Sequence, residues 1–166
     1  MHMHIIILAI AVNIYVFASM KNRNGPSEPV TQAWISIMRA QQRLLNAIET
    51  DFKNAGLPSL SWYDVLWELA RAEEGRLRPF EIEERTLLAQ YNLSRLIDRL
   101  QREGLVSREA FAEDGRGRWV VITQAGRLLR ERMWAVYSKA IDAHVGAKLD
   151  DQAAASIVAL LSRFTG

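Results

Sequence analysis

The sequence of 166 residues predicts a mainly α-helical fold that carries one small β-hairpin. Apolar residues recur at helical spacing through most of the chain after residue 30. The spacing changes to that of two short strands at residues 105–111 and 118–123. Between these strands, Asp114-Gly115 is a dipeptide that favours a tight hairpin turn.

The chain begins with an apolar segment whose role the rest of the sequence does not define. Residues 5–20 carry no charge, and Lys21 and Arg23 follow them. As a helix this segment would span about 24 Å, less than the ~30 Å hydrocarbon core of a membrane. Three interpretations stay open: an upstream extension or additional packing helix, which includes a true start at Met20; a membrane anchor; or a secretory signal, although no Lys or Arg precedes the apolar run.

Two helices are predicted before the centre of the chain. The first is long and amphipathic, and it runs from residue 30 until Gly56 and the proline after it end the pattern. The second is predicted to begin at Ser61, which can cap the helix together with Asp64. Gly75 is expected to end this second helix.

Two shorter helices and the hairpin complete a compact unit. Pro79 suits the first turn of a third helix that reaches Arg85. A fourth helix follows from about Leu87 to Arg102, and Gly104 lies where a C-terminal cap is expected. Three helices followed by a two-stranded hairpin are typical of a winged helix-turn-helix fold.

The helices that flank this unit carry more apolar surface than a small domain can bury. One is predicted from Gln124 to about Lys148, and a last one begins after Asp150. A homodimer is the simplest arrangement that covers such surfaces. The chain therefore divides into an apolar extension with a breaker segment, an N-terminal dimerisation helix, a winged helix-turn-helix DNA-binding domain and C-terminal dimerisation helices, at residues 1–29, 30–56, 57–123 and 124–166.

The composition argues against several kinds of chemistry. The chain has no cysteine, which excludes disulfides and Cys-based zinc sites. Because we find no Gly-rich phosphate loop, catalytic triad or metal-ligand spacing, we expect neither an enzyme nor a cofactor. The net charge is only +2, yet residues 85–132 hold ten arginines, no lysine and six acidic residues. Such a concentration of arginine favours contact with phosphates and guanine edges.

Three segments occur in an order and at spacings that are typical of one family of DNA-binding proteins. Residues 93–106 (LSRLIDRLQREGLV) match the end of a recognition helix and the start of a strand. Residues 113–118 (EDGRGR) match the wing, and residues 122–127 (ITQAGR) match the opening of the next helix, with Ile122 in place of the usual leucine. Together they resemble the MarR (multiple-antibiotic-resistance regulator) family of transcription factors, and the resemblance covers about four-fifths of the chain, residues 34–164.

The helix geometry and the resemblance together imply which residues contact DNA. The leucines of the fourth helix point inward, which leaves a polar face that fits the major groove. Wing arginines suit the minor groove or its phosphates, and the resemblance implies that Asp114 orients one of them by an ion pair. The expected DNA contacts are Gln90, Tyr91, Asn92, Ser94, Arg95 and Arg99 on the recognition helix, and Asp114, Arg116 and Arg118 on the wing.

The resemblance also implies a ligand-controlled regulator. Members of this family often bind small aromatic or phenolic effectors, and Trp34, Met38, Tyr63 and Trp67 are the candidate pocket residues; ordinary hydrophobic core is the other interpretation. We expect a cytoplasmic homodimeric repressor that binds an inverted-repeat operator in double-stranded DNA and is released by such an effector. Two alternatives remain: a membrane-anchored winged-helix module that binds protein, and a ligand-sequestering protein without DNA affinity.

Overall fold

The structure, a computed structural model, describes residues 25–86, 90–110 and 117–164. Its contacts divide the chain into two compact units, Met1–Gln41 and Gln42–Gly166. The first helix, α1 (Glu28–Asn54), extends across this boundary. The domain limits that the sequence suggested therefore stay a prediction.

The described part of the first unit is the N-terminal portion of α1. Glu28 lies in the first helical turn, where a negative charge interacts favourably with the helix dipole, and its carboxylate accepts a hydrogen bond of 2.7 Å from Gln32 Nε2. Val30, Trp34 and Met38 follow one another at intervals of four residues and are all exposed. The helix therefore presents an apolar stripe along one face.

The second unit contains the winged domain and the C-terminal helices. Three short strands, β1 (Arg76–Leu77), β2 (Val106–Ala110) and β3 (Arg118–Ile122), form an antiparallel sheet in the order β1-β3-β2. The prediction of a mainly helical fold with a small wing is confirmed, although strand β1 was not predicted. The remaining α-helices of the described residues are α2 (Leu60–Arg71), α3 (Pro79–Arg85), α4 (Gln90–Arg102), α5 (Gln124–His144) and α6 (Asp151–Leu161).

One apolar core holds the winged domain together. Helix α4 supplies the inward leucine stripe that the sequence predicted, which packs with side chains of α2, α3 and the sheet. Such burial stabilises by roughly 25 cal/mol per Å² of apolar surface removed from water. The core includes Val65, Leu66, Leu69, Ile82, Leu93, Leu96, Ile97, Leu100 and Val120.

A second core joins the C-terminal portion of α1 to α2 and α5. Phe52, Tyr63 and Met133 are its largest buried members. Glu49 of α1 reaches the same junction, where its Oε1 accepts the backbone N–H of Leu60 at 2.9 Å. This side chain satisfies an N–H at the start of α2 that has no partner within the helix. Helix α2 begins at Leu60 after the N-cap residue Ser59, so the predicted cap at Ser61 is wrong.

The start of α5 is fixed by residues 122–127, the third of the segments that resemble the MarR family. Thr123 Oγ1 accepts the N–H of Gly126 at 3.1 Å, as expected for a helix cap. Gly126 packs so closely on the backbone of Leu105 that a Cβ there would collide with the carbonyl oxygen of Leu105. A glycine at this position lets α5 approach the strand that follows α4.

The described residues contain no helix long and apolar enough to cross a bilayer. The apolar segment at residues 5–20, on which the three N-terminal interpretations rest, lies outside the described residues.

Candidate nucleic-acid interface

Helix α4 presents a polar face opposite the winged-domain core. Asn92, Ser94, Arg95 and Arg99 are all exposed, while the four apolar residues of the same helix are buried. A polar helix face beside an apolar one is the geometry that a major groove about 12 Å wide accepts. The side chains of Gln90 and Tyr91 lie outside the described part of the chain, so their proposed roles stay predictions.

An ion pair connects helix α4 to the sheet. Arg108 Nη2 on β2 donates to Asp98 Oδ1 on α4 at 2.6 Å. The pair neutralises an acidic group on the exposed side of α4. This contact was not predicted, because only the tertiary fold brings together a helix residue and a strand residue ten positions apart.

The wing contributes an arginine to the sheet that packs on this helix. Strand β3 begins with the exposed Arg118, and the β2–β3 register places Arg118 opposite Ala110. Asp114 and Arg116 lie outside the described residues, so the ion pair that the resemblance implies between Asp114 and a wing arginine stays a prediction. Arg118 therefore lies at one end of β3. Strand β3 pairs with β2, which the Arg108–Asp98 ion pair links to α4.

A second cationic feature lies on the outer face of the sheet. The guanidinium carbons of Arg76 and Arg78 are 4.9 Å and 5.1 Å from the ring centroid of Trp119 on β3. Arg76 also forms an ion pair with Glu74. These residues were not among the predicted site residues, although a Trp directly after the wing arginine was a visible signal.

Of the four candidate effector residues, Tyr63 and Trp67 come together. Their rings stack with centroids 5.9 Å apart, and Trp134 of α5 stacks on Tyr63 at 6.2 Å. Tyr63 is buried, whereas Trp67 is 38% and Trp134 is 44% exposed. Trp34 and Met38 belong to the first unit and are exposed there. We call Tyr63, Trp67 and Trp134 the aromatic stack.

Arg130 lies beside the aromatic stack and has a buried nitrogen without a hydrogen-bond partner among the described residues. Its guanidinium carbon is 5.7 Å from the Trp67 ring, and its Nε is buried without a hydrogen-bond partner in the described part of the chain. A buried donor without an acceptor costs free energy comparable to that of a hydrogen bond. Burial raises the pKa of the Tyr63 hydroxyl, an effect that the positive charge of Arg130 opposes.

Asp64 lies in a strongly acidic environment on α2. Burial, followed by the negative charges of Glu49 and Glu68, raises the pKa of its carboxyl from 3.8 to about 6. The one histidine beyond the N-terminus, His144, has its Nε2 2.8 Å from Asp51 Oδ2, a hydrogen bond between α5 and α1. No group of three or more potential metal ligands occurs within the described ranges.

A trihelical core, an exposed polar helix face and an arginine-bearing hairpin define a winged helix-turn-helix protein. A family model for the MarR family matches residues 55–117. A MarR family transcriptional regulator from Streptomyces coelicolor, solved near atomic resolution, is 31% identical with a TM-score of 0.71; the match covers 84% of this chain and 94% of that chain. The chain belongs to the MarR family of transcriptional regulators, as the sequence motifs had suggested.

Two further structures share the fold at lower identity. A MarR family regulator from S. coelicolor in complex with DNA is 20% identical with a TM-score of 0.78, over 88% of this chain and 91% of that chain. Bordetella bronchiseptica BpsR, whose DNA binding is regulated by 6-hydroxynicotinic acid, is 23% identical with a TM-score of 0.71, over 81% of this chain and 99% of that chain. A search of curated protein sequences found no match.

Proposed function

We propose that the protein is a homodimeric DNA-binding regulator that represses transcription until a small aromatic effector releases it. One observation carries the DNA-binding part: the exposed polar face of α4, seated by buried leucines and linked through Asp98 to a wing strand. A relative of the same fold has been solved with DNA bound. On α4, Arg95 is suited to a guanine edge and Asn92 to adenine.

A second copy of the chain is the partner that the exposed apolar surfaces favour. Helix α6 and the short turn after it expose a cluster of large apolar side chains, and α1 exposes another stripe. Pairing these surfaces would remove them from water. It would also place the two α4 helices of the dimer about one DNA turn apart. The exposed side chains at the C-terminal end are Ile157, Val158, Leu160, Leu161 and Phe164.

The effector is a small aromatic acid that binds at the aromatic stack. Trp67 and Trp134 are partly exposed and offer aromatic surface for contact with a ring, and the buried Nε of Arg130 offers a donor for a carboxylate oxygen. The regulation of BpsR by 6-hydroxynicotinic acid supports an effector of this chemical class. Such a ligand lowers operator affinity only if it binds more tightly to the arrangement of the dimer that does not fit DNA.

Titration of labelled promoter DNA from beside the gene tests the proposal. We expect sequence-dependent binding by a purified dimer, and Arg95→Ala should reduce the preference for operator over unrelated DNA by about 1–3 kcal/mol. The control is Arg39→Gln, which removes one exposed arginine from α1. Equal affinity of the wild-type dimer for operator and unrelated DNA at all salt concentrations would contradict the proposal.

A further inference from the structure

We propose that Arg76, Arg78 and Trp119, here called the Trp119 patch, form a second DNA contact that binds backbone phosphates without reading bases. This inference rests on the DNA-binding function proposed above. It adds a surface on the outer face of the sheet to the recognition helix and the wing. The ligand of the patch is the phosphodiester backbone of the duplex.

The register of the sheet explains why the two arginines meet one indole. Strands β1 and β3 are antiparallel, with Leu77 opposite Val120, and both of these residues are buried. Side chains alternate between the faces of a strand, so Arg76 and Arg78 on either side of Leu77 lie on the same outer face as Trp119. Their guanidinium carbons are 4.9 Å and 5.1 Å from the Trp119 ring centroid.

This stacking prepares the guanidinium groups for phosphate. A cation–π contact uses the flat face of a guanidinium, while the N–H groups that bind phosphate project from its edge. Holding an arginine side chain in place before binding reduces an ordering cost that otherwise opposes association. Trp119 therefore acts as a positioning residue for two phosphate-binding groups.

The patch lies between the two elements that approach the DNA backbone. Arg78 directly precedes α3, the first helix of the helix-turn-helix, which crosses the backbone in proteins of this kind. Trp119 directly follows Arg118 of the wing. Several carboxylates lie close to the patch: Glu81 accepts the backbone N–H of Arg78 at 2.7 Å, Glu74 pairs with Arg76, and Glu73 lines the same surface depression as Arg76 and Trp119.

The ion pair between Glu74 and Arg76 leads to a prediction of stronger DNA binding, whereas loss of a patch arginine should weaken it. Glu74 competes with phosphate for Arg76, so Glu74→Gln should strengthen binding to DNA and should not lower its salt dependence. The slope of log K against log salt is negative, and Arg78→Gln should make it shallower. Its magnitude should fall by about 0.9 for each phosphate that is no longer neutralised, or roughly twice that in a dimer. Trp119→Leu keeps every charge, but the two guanidinium groups are no longer held in place for phosphate. It should therefore also weaken binding and reduce the magnitude of the slope.

The experiment uses the full-length protein and a fluorescein-labelled duplex of mixed sequence, titrated by anisotropy from about 50 to about 200 mM salt. Arg39→Gln is the matched control, and thermal unfolding checks that each variant remains folded. Reduced slopes for Arg78→Gln and Trp119→Leu, with an unchanged slope for the control, support the patch. If the wild-type protein binds the duplex and both variants keep the wild-type slope, the patch is refuted but the proposed function is not. A wild-type protein that binds no DNA refutes both the patch and the proposed function.

Discussion

Replacing Asp64 by asparagine should stabilise the protein at neutral pH and lose most of that advantage in acid. Burial and the charges of Glu49 and Glu68 raise the pKa of the Asp64 carboxyl from 3.8 to about 6 in the folded protein. Because the folded pKa lies above the unfolded one, the favourable contribution of the protonated group is complete below 3.8 and is lost as the pH rises through about 6.

The size of the effect follows from the same shift. Each pKa unit corresponds to about 1.36 kcal/mol, so roughly two units set an upper limit of about 3 kcal/mol. Asp64 is only partly buried, and solvent screening reduces this to about 1–2 kcal/mol. The asparagine side chain would resemble the neutral acid, so we expect Asp64→Asn to give a gain of that size near pH ~7.5 that shrinks to a few tenths of a kcal/mol near pH ~4.

Urea unfolding followed by far-ultraviolet circular dichroism measures this gain at both pH values, at one fixed protein concentration because a dimer's stability depends on it. Asp142→Asn, which changes an exposed carboxylate on α5, is the control for the loss of one surface charge. The reasoning is refuted if Asp64→Asn destabilises the protein at the higher pH. It is also refuted if the gain is equal at the two pH values.

Two further predictions concern contacts made by the winged domain. Gly126→Ala should destabilise the protein by about 1–3 kcal/mol, because the added methyl group would collide with the carbonyl of Leu105; urea midpoints test this, and an unchanged midpoint would contradict it. Arg108→Gln should cost at most about 1 kcal/mol of stability, because its partner Asp98 is half exposed, yet it should weaken DNA binding measurably by leaving an unpaired carboxylate on α4. Asp98→Asn should then restore binding in the double variant, and no recovery would argue against this electrostatic cause.

The elements with strong apolar periodicity were predictable from the sequence. The buried stripe of α4 follows from leucines that recur every three or four residues. The start of α5 follows from Thr123, whose hydroxyl accepts the expected capping hydrogen bond. In both cases the residues that define the element lie within a few positions of one another, so local physical chemistry is sufficient.

The features that sequence reasoning missed depend on residues far apart in the chain. Strand β1 has only two residues, too few to show an alternating pattern, and it forms because β3 pairs with it. The first N–H of helix α2, that of Leu60, is accepted by Glu49, which lies eleven positions earlier in the chain. The stacking of Trp134 on Tyr63 likewise requires α5 to pack against α2.

Selection of DNA from a random pool by the purified full-length protein tests the recognition role of α4 most directly. We expect enrichment of an inverted repeat whose half-sites are centred about one helical turn apart, and Arg95→Ala should lose the preference at the bases that this side chain contacts. A pool that remains random after repeated selection, while the protein is folded and dimeric, would contradict the assignment of α4 as the helix that reads DNA.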